Sequence, residues 1–219
     1  MADAVNTTIS VLALVVSSVT AWLTLFRRGT VKMTQPTVIY FGPDKGHWKE
    51  RKLPPKIYLR SLLFATSRRG RVIQSMHVNL TRNEARQTFN IWVYGEAKLV
   101  RGSGLFVGET GVAANHHFLA PPDGTAFAFI EGSYHLELFA QILGGRGLQR
   151  LLSQRLDISR DLALALADPR AGLYFDWGPE SGRYLPHIEI REPEFDPTML
   201  MDSLGRSLEE SMRADATGD

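Results

Sequence analysis

The chain has 219 residues, no cysteine and a formal net charge of +2. The missing thiols exclude disulfide staples and thiolate-ligated metal centres, and the length allows one ordinary domain beyond any membrane span. The small net charge conceals two unlike halves: residues 1–101 hold 16 Lys and Arg against 5 Asp and Glu, whereas residues 102–219 hold 9 against 18.

Residues 1–8 form a short tail whose only charged side chain is Asp3. From Ile9 to Phe26 no residue is charged, and 18 residues at about 1.5 Å each rise roughly 27 Å, close to the thickness of a bilayer's hydrocarbon. Segment 9–26 is therefore predicted to be a transmembrane helix. A cleavable signal peptide needs a basic leader and a small-residue cleavage site, and this segment has neither. Arg27, Arg28 and Lys32 follow the span, and Trp22 sits near its basic end, where an amphipathic ring suits the headgroup level. Basic flanks are retained in the cytoplasm. The chain is thus expected in the cell inner membrane as a single-pass protein, with its N-terminus outside and its bulk cytoplasmic. Ala13, Ser17 and Ala21 recur every fourth residue, a spacing that permits close helix approach and a homo-oligomer.

Residues 27–55 read as a basic juxtamembrane segment with a first strand, Thr37 to Phe41. Positive charges recur at Lys45, Lys49, Arg51, Lys52, Lys56, Arg60, Arg68, Arg69 and Arg71, and they predict a surface that meets anionic lipid headgroups. No recognised nucleic-acid motif accompanies them, so nucleic acid is not an expected partner. The run Lys32-Met33-Thr34-Gln35-Pro36-Thr37 with Phe41-Gly42-Pro43-Asp44 after an anchor resembles uncharacterised bacterial single-pass membrane proteins; the resemblance implies an anchor and no activity.

Residues 56–195 are predicted to form a mainly β domain, an immunoglobulin-like β-sandwich. Short β-branched and aromatic runs cover Lys56 to Thr66, Val72 to Leu80, Phe89 to Tyr94, Leu105 to Val107, Val112 to Leu119, Ala126 to Ile130, Ser133 to Leu143 and Leu151 to Ile158. Gly, Pro and Asn-rich turns separate them, and no long helices alternate with them. In the run Phe89 to Tyr94, Phe89, Ile91 and Val93 are expected to share one face. Tyr134, Leu136 and Leu138 fall on one strand face after Gly132, in the manner of a tyrosine corner, whose hydroxyl ties back to the preceding loop. Trp92 is a candidate for the core Trp of an earlier strand. A short helix is expected over Arg160–Ala167, capped by Ser159. Residues 196–219 read as an amphipathic C-terminal helix and tail, opened by Asp196-Pro197 and striped by Leu200, Met201, Leu204, Leu208 and Met212.

No catalytic, cofactor or metal site is expected. Adjacent His116 and His117 point to opposite strand faces, and the glycines at 102–104 and 108–111 match no phosphate-binding fingerprint. Two aromatic-rich loops, 174–179 and 182–187, combine rings with charge and form a candidate binding region: Tyr174, Asp176, Trp177, Arg183, Tyr184 and His187. The leading expectation is a membrane-anchored cytoplasmic binding, sensor or adaptor module with a protein partner. The alternative is a subunit of a membrane-associated enzyme or defence complex whose site is assembled from dispersed residues.

Overall fold

An apolar segment whose hydroxyls satisfy themselves sets the first element. Helix α1 runs over Ala2–Ala21 and continues into a wider π-helical turn at Trp22–Phe26. Thr7, Thr8, Ser10, Thr20 and Thr24 each donate to the carbonyl four residues earlier, at 2.7–2.9 Å. These bonds leave few polar groups in need of water, the condition a lipid-facing helix must meet. The span Ala2–Thr24 is long and apolar enough to cross a membrane. It starts earlier than the expected Ile9, because Ala2 to Thr8 already take helical form.

The computed structural model describes residues 2–26, 29–44, 54–96, 98–121 and 127–190. Arg27 and Arg28, the basic residues between 45 and 53, and the expected helix at 196–219 lie outside the described residues, as do the side chains of Leu25 and Phe26. The chain divides into two units, Met1–Glu189 and Ile190–Asp219.

The rest of the first unit is mainly β. Its strands are β1 (Val31–Met33), β2 (Val38–Pro43), β3 (Pro55–Ala65), β4 (Arg71–Arg82), β5 (Ala85–Phe89), β6 (Ile91–Gly95) and β7 (Val100–Arg101). They continue with β8 (Leu105–Val107), β9 (Val112–Leu119), β10 (Gly132–Ile142), β11 (Leu148–Ile158), β12 (Ala171–Gly178) and β13 (Arg183–Ile190). Helix α2 (Arg160–Ala165) lies between β11 and β12, its first turn capped by the Ser159 hydroxyl.

Two antiparallel sheets result. The first has the order β13-β12-β2-β3-β9-β6-β7, with β1 also on β3; the second has the order β11-β10-β4-β5, with β8 also on β4. β2 pairs with residues 55–59 of β3 and β1 with residues 63–65, so the two short strands follow one another along a single side of β3. Pro36 lies in the break between them; having no N–H, it cannot continue a ladder.

The inward faces of both sheets supply one apolar core. Phe41, Phe89, Phe118, Phe175 and Tyr134 are its largest fully buried side chains. Phe41 of the first sheet lies 6.3 Å, edge-on, from Tyr134 of the second, within the range where aromatic pairs attract. Period-2 alternation is clear in β10, where Tyr134, Leu136, Leu138, Ala140 and Ile142 are buried while His135 and Gln141 face solvent.

Several sequence expectations need correction. Phe89 to Tyr94 is not one strand: the chain leaves the second sheet after Phe89 and enters the first at Ile91. The crossing at Asn90 shifts the alternation, so Phe89 and Trp92 are the buried pair, not Phe89, Ile91 and Val93. Residues 127–130 of the expected strand Ala126 to Ile130 are irregular, and Ala126 is not described. Their rings plug the core instead, Phe129 stacking on Phe41 at 4.9 Å and meeting Phe127 at 5.1 Å. The amide of Ile130 donates to the Tyr134 hydroxyl at 2.9 Å, and that hydroxyl donates to the Ile130 carbonyl at 2.8 Å. The tyrosine thus satisfies backbone that a neighbouring strand would otherwise pair. Helix α2 stops at Ala165, short of the expected Ala167. The two aromatic loops are strands β12 and β13, both in the first sheet.

Candidate functional site

The outward face of the first sheet carries a line of rings drawn from five strands. Register places Tyr174 of β12 opposite Tyr40 of β2, Tyr40 opposite Tyr58 of β3, and Tyr58 opposite His117 of β9. His187 of β13 extends the line by stacking on Tyr174, with centroids 5.4 Å apart and planes 16° apart. Tyr40 and Tyr174 lie 4.9 Å apart, as do Tyr58 and His117. Direct cross-strand neighbours contact one another on a pleated sheet, so the row follows from register alone. Gly42 and Gly172 provide its floor: both lie under the Tyr40 ring and leave no room for a Cβ.

Charged and polar groups frame the rings. The Lys56 ammonium lies 2.8 Å from Asp44 and 5.9 Å from the Tyr40 ring centroid, within cation–π range. The Tyr58 hydroxyl donates to Asn115 Oδ1 at 3.1 Å, and Arg60 donates to the same oxygen at 3.2 Å while pairing with Glu96 at 3.0 Å. At the other end, His187 Nδ1 lies 3.1 Å from Asp176 Oδ2, and its Nε2 lies 3.5 Å from Glu189.

Burial pushes the Tyr58 hydroxyl up, with Arg60 opposing and Tyr174 adding. Burial, and then the charge of Lys56, push His117 down to about 4, with Asp44 opposing. At neutral pH both rings are therefore uncharged. They offer π faces, a phenolic oxygen that can still accept and a neutral imidazole, which suit recognition by contact and hydrogen bonding.

The hairpin divides the candidate region suggested by sequence. Tyr174, Asp176 and His187 stand on the outward face, while Trp177 and Tyr184 lie on the other side. The Tyr184 hydroxyl donates to the Pro36 carbonyl at 2.8 Å and accepts from Gln35 Nε2 at 2.9 Å, and its ring meets Trp177 at 5.1 Å. Burial pushes that hydroxyl up to about 12. These two rings clasp the hairpin to the β1–β2 connection. Arg183 is exposed at the start of β13. Of the expected membrane flank, Trp22 is exposed and Lys32 is exposed on β1, opposite Phe64. The sequence reading placed Tyr40 and Tyr58 within strands and weighed His117 only as a metal ligand, because nothing local to positions 40, 58 or 117 signals that they become neighbours.

His116 and His117 do face opposite sides: His116 is fully buried, and its ring stacks near Trp92 and Phe118. Among the described residues no group of three or more His, Cys, Asp or Glu side chains is placed to hold a metal ion. Trp92 is buried on β6 of the first sheet, and its indole N–H donates to His116 Nδ1 at 3.2 Å. No protein-family model, curated protein or solved structure matches the chain.

Proposed function

We propose that the protein is a single-pass inner-membrane binding or adaptor module, an immunoglobulin-like β-sandwich held to the cytoplasmic surface by α1 and binding a protein partner through the aromatic face of its first sheet. The observation that carries the binding assignment is the line of rings in which the half-buried His187, Tyr174, Tyr58 and His117 flank the buried Tyr40. Tyrosine-rich patches dominate protein interfaces because one ring supplies apolar area and a polar tip together. The outward face of the second sheet differs: it carries ionic and polar contacts such as Arg150–Glu137 at 2.7 Å and His135–Ser153 at 2.9 Å, beside the ring pair His77–Phe139.

Strand order supports the immunoglobulin-like reading. With β1/β2 as strand A, β3 as B, β4 as C, β5 as C′, β6 as D, β9 as E, β10 as F and β11 as G, the sheets read A-B-E-D and G-F-C-C′, the orders of that fold. Tyr134 then stands near the start of strand F, where a tyrosine corner belongs. The departures are the β12–β13 hairpin added beside strand A, the short strands β7 beside D and β8 on C, and Trp92 on D where antibody domains carry their Trp on C. Support for the orientation is the charge bias after the span, from Arg27, Arg28 and Lys32 onward. A bacterial source accords with the junction resemblance.

The binding face is tested with full-length protein purified in mild detergent, measuring recovery of the partner that copurifies with it. Tyr174→Ala and His187→Ala should each reduce recovery about tenfold, the equivalent of about 1.4 kcal/mol. His135→Ala and Arg150→Ala, on the second sheet, should leave it unchanged. Equal recovery from all four variants would reject the assignment of this face.

A further inference from the structure

We infer that the end of the domain from which α1 emerges is a second interaction surface, which rests in the headgroup region of an anionic bilayer. This inference builds on the anchor reading above. The chain leaves the π-helical turn at Phe26 and is fixed to the domain by Thr30, four residues later and therefore within about 14 Å of the helix end at full extension. The Thr66 amide donates to the Thr30 carbonyl, and the Thr30 amide donates to Thr66 Oγ1, both at 2.8 Å. The Thr30 hydroxyl donates to Gln149 at 2.6 Å, while the Gln149 amide donates to the Val31 carbonyl. Gly29, at φ 57°, packs so closely on Ser67 that a Cβ would fall 2.7 Å from the serine Cβ. The domain is thus pinned at this end and cannot hang far from the membrane.

Three turns converge there. The β3–β4 turn carries Arg68 and Arg69, the β8–β9 connection follows the short strand that holds Phe106, and the β10–β11 turn carries Leu143 and Arg146 and ends at Leu148, the first residue of β11. They are tied together: the Ala65 amide donates to the Gly108 carbonyl at 2.9 Å, and the Leu143 amide donates to the Val72 carbonyl at 2.8 Å. Arg71 donates to the Leu143 carbonyl at 3.2 Å. Phe106, Leu143 and Leu148 are 61%, 58% and 56% exposed. A soluble domain gains nothing by exposing large apolar side chains together at one end, whereas an interfacial surface does. Arg68, Arg69 and Arg146 are exposed at the same end, with Glu109 as the exposed acid among them. Exposed apolar side chains among arginines are the composition that enters the boundary of an anionic leaflet. The far end of the domain, marked by the Asn83-Glu84 turn of β4–β5, lies about 36 Å away along β4 at the usual rise per residue.

The test uses the full chain in lipid vesicles, made either of phosphatidylcholine alone or with added phosphatidylglycerol. The chain has no cysteine, so a single fluorophore is placed by Gly147→Cys, where nothing lies within 4 Å of the new Cβ, and in a second protein by Glu84→Cys. Headgroup-level spin-labelled lipid should quench the probe at 147 about twofold more than the probe at 84, more strongly in anionic vesicles. Adding Phe106→Ser with Leu148→Ser, or Arg68→Glu with Arg146→Glu, should return the probe at 147 to the level at 84. Equal quenching at both positions in protein that floats with vesicles overturns the docking surface and leaves the anchor standing. Protein that does not float with vesicles overturns both.

Discussion

Tyr134→Ala is expected to cost about 3–5 kcal/mol of stability, and Tyr134→Phe about 1–2 kcal/mol. The larger figure follows from truncating a side chain that is 1% exposed and packs edge-on against Phe41 at the junction of the two sheets. The smaller follows from the hydroxyl, which serves both the amide and the carbonyl of Ile130. Water replaces part of that loss, because Ile130 is 45% exposed. Denaturant unfolding of the full-length protein in detergent measures both. The alanine variant should lower the midpoint several-fold more than the phenylalanine variant, at similar slope. The order of the two matters more than their size. A phenylalanine variant as damaged as the alanine variant would mean that the hydroxyl bonds, rather than the packed ring, hold the turn at 127–131.

Acidification is expected to weaken the fold between pH 6.5 and about 4, chiefly through His116. Its Nδ1 accepts the Trp92 indole N–H, which places the imidazole proton on Nε2 and keeps the ring neutral. Burial, and then the neighbouring His117, hold it at about 4 against an ordinary value of 6.5. The sign follows from proton counting. Across that window the unfolded chain takes up a proton that the folded chain refuses, so stability is complete above pH 6.5 and declines as the pH falls. The span from 6.5 to about 4 is equivalent to about 3 kcal/mol. His117, depressed in the same direction, adds a smaller part because its ring is partly open to solvent. His116→Gln keeps an acceptor for Trp92 but cannot titrate, and it should flatten most of the slope when unfolding midpoints are compared at pH 7 and pH 4.5. An unchanged slope in that variant would assign the acid sensitivity to other groups.

The mainly β character of the domain was legible wherever one sheet face is apolar and the other polar. β10 is the clearest example, because Tyr134, Leu136 and Leu138 alternate with His135 and Glu137. The same rule explains the misses. β12 and β13 lack that contrast: Leu173 and Phe175 face the core while Tyr174 covers the outside, and Pro179, Gly182 and Pro186 read as loop residues. At Phe127 and Phe129 apolar spacing mimics a strand, although the backbone of Ile130 is bonded to a side chain. The crossing at Asn90 was hidden because one residue out of phase exchanges the two faces of everything after it. The apolar helix was legible from hydropathy alone.

The candidate face was half legible. Tyr174, Asp176 and His187 stood out through local composition, and the hairpin does bring them together. Tyr40, Tyr58 and His117 complete the face through strand register, which sets Tyr40 opposite Tyr174, far away in sequence, and leaves no local trace. Trp177 and Tyr184 show the reverse case: their composition looks like a site, yet their partners are Pro36 and Gln35.

Every functional assignment here depends on α1 holding the intact chain in a bilayer. Washing membranes from expressing cells at alkaline pH, followed by intact-mass analysis of the pellet, tests this most directly. The anchor reading predicts that the protein stays in the pellet at the mass of a chain retaining α1. Release into the wash, or a mature chain that begins after Phe26, would contradict it.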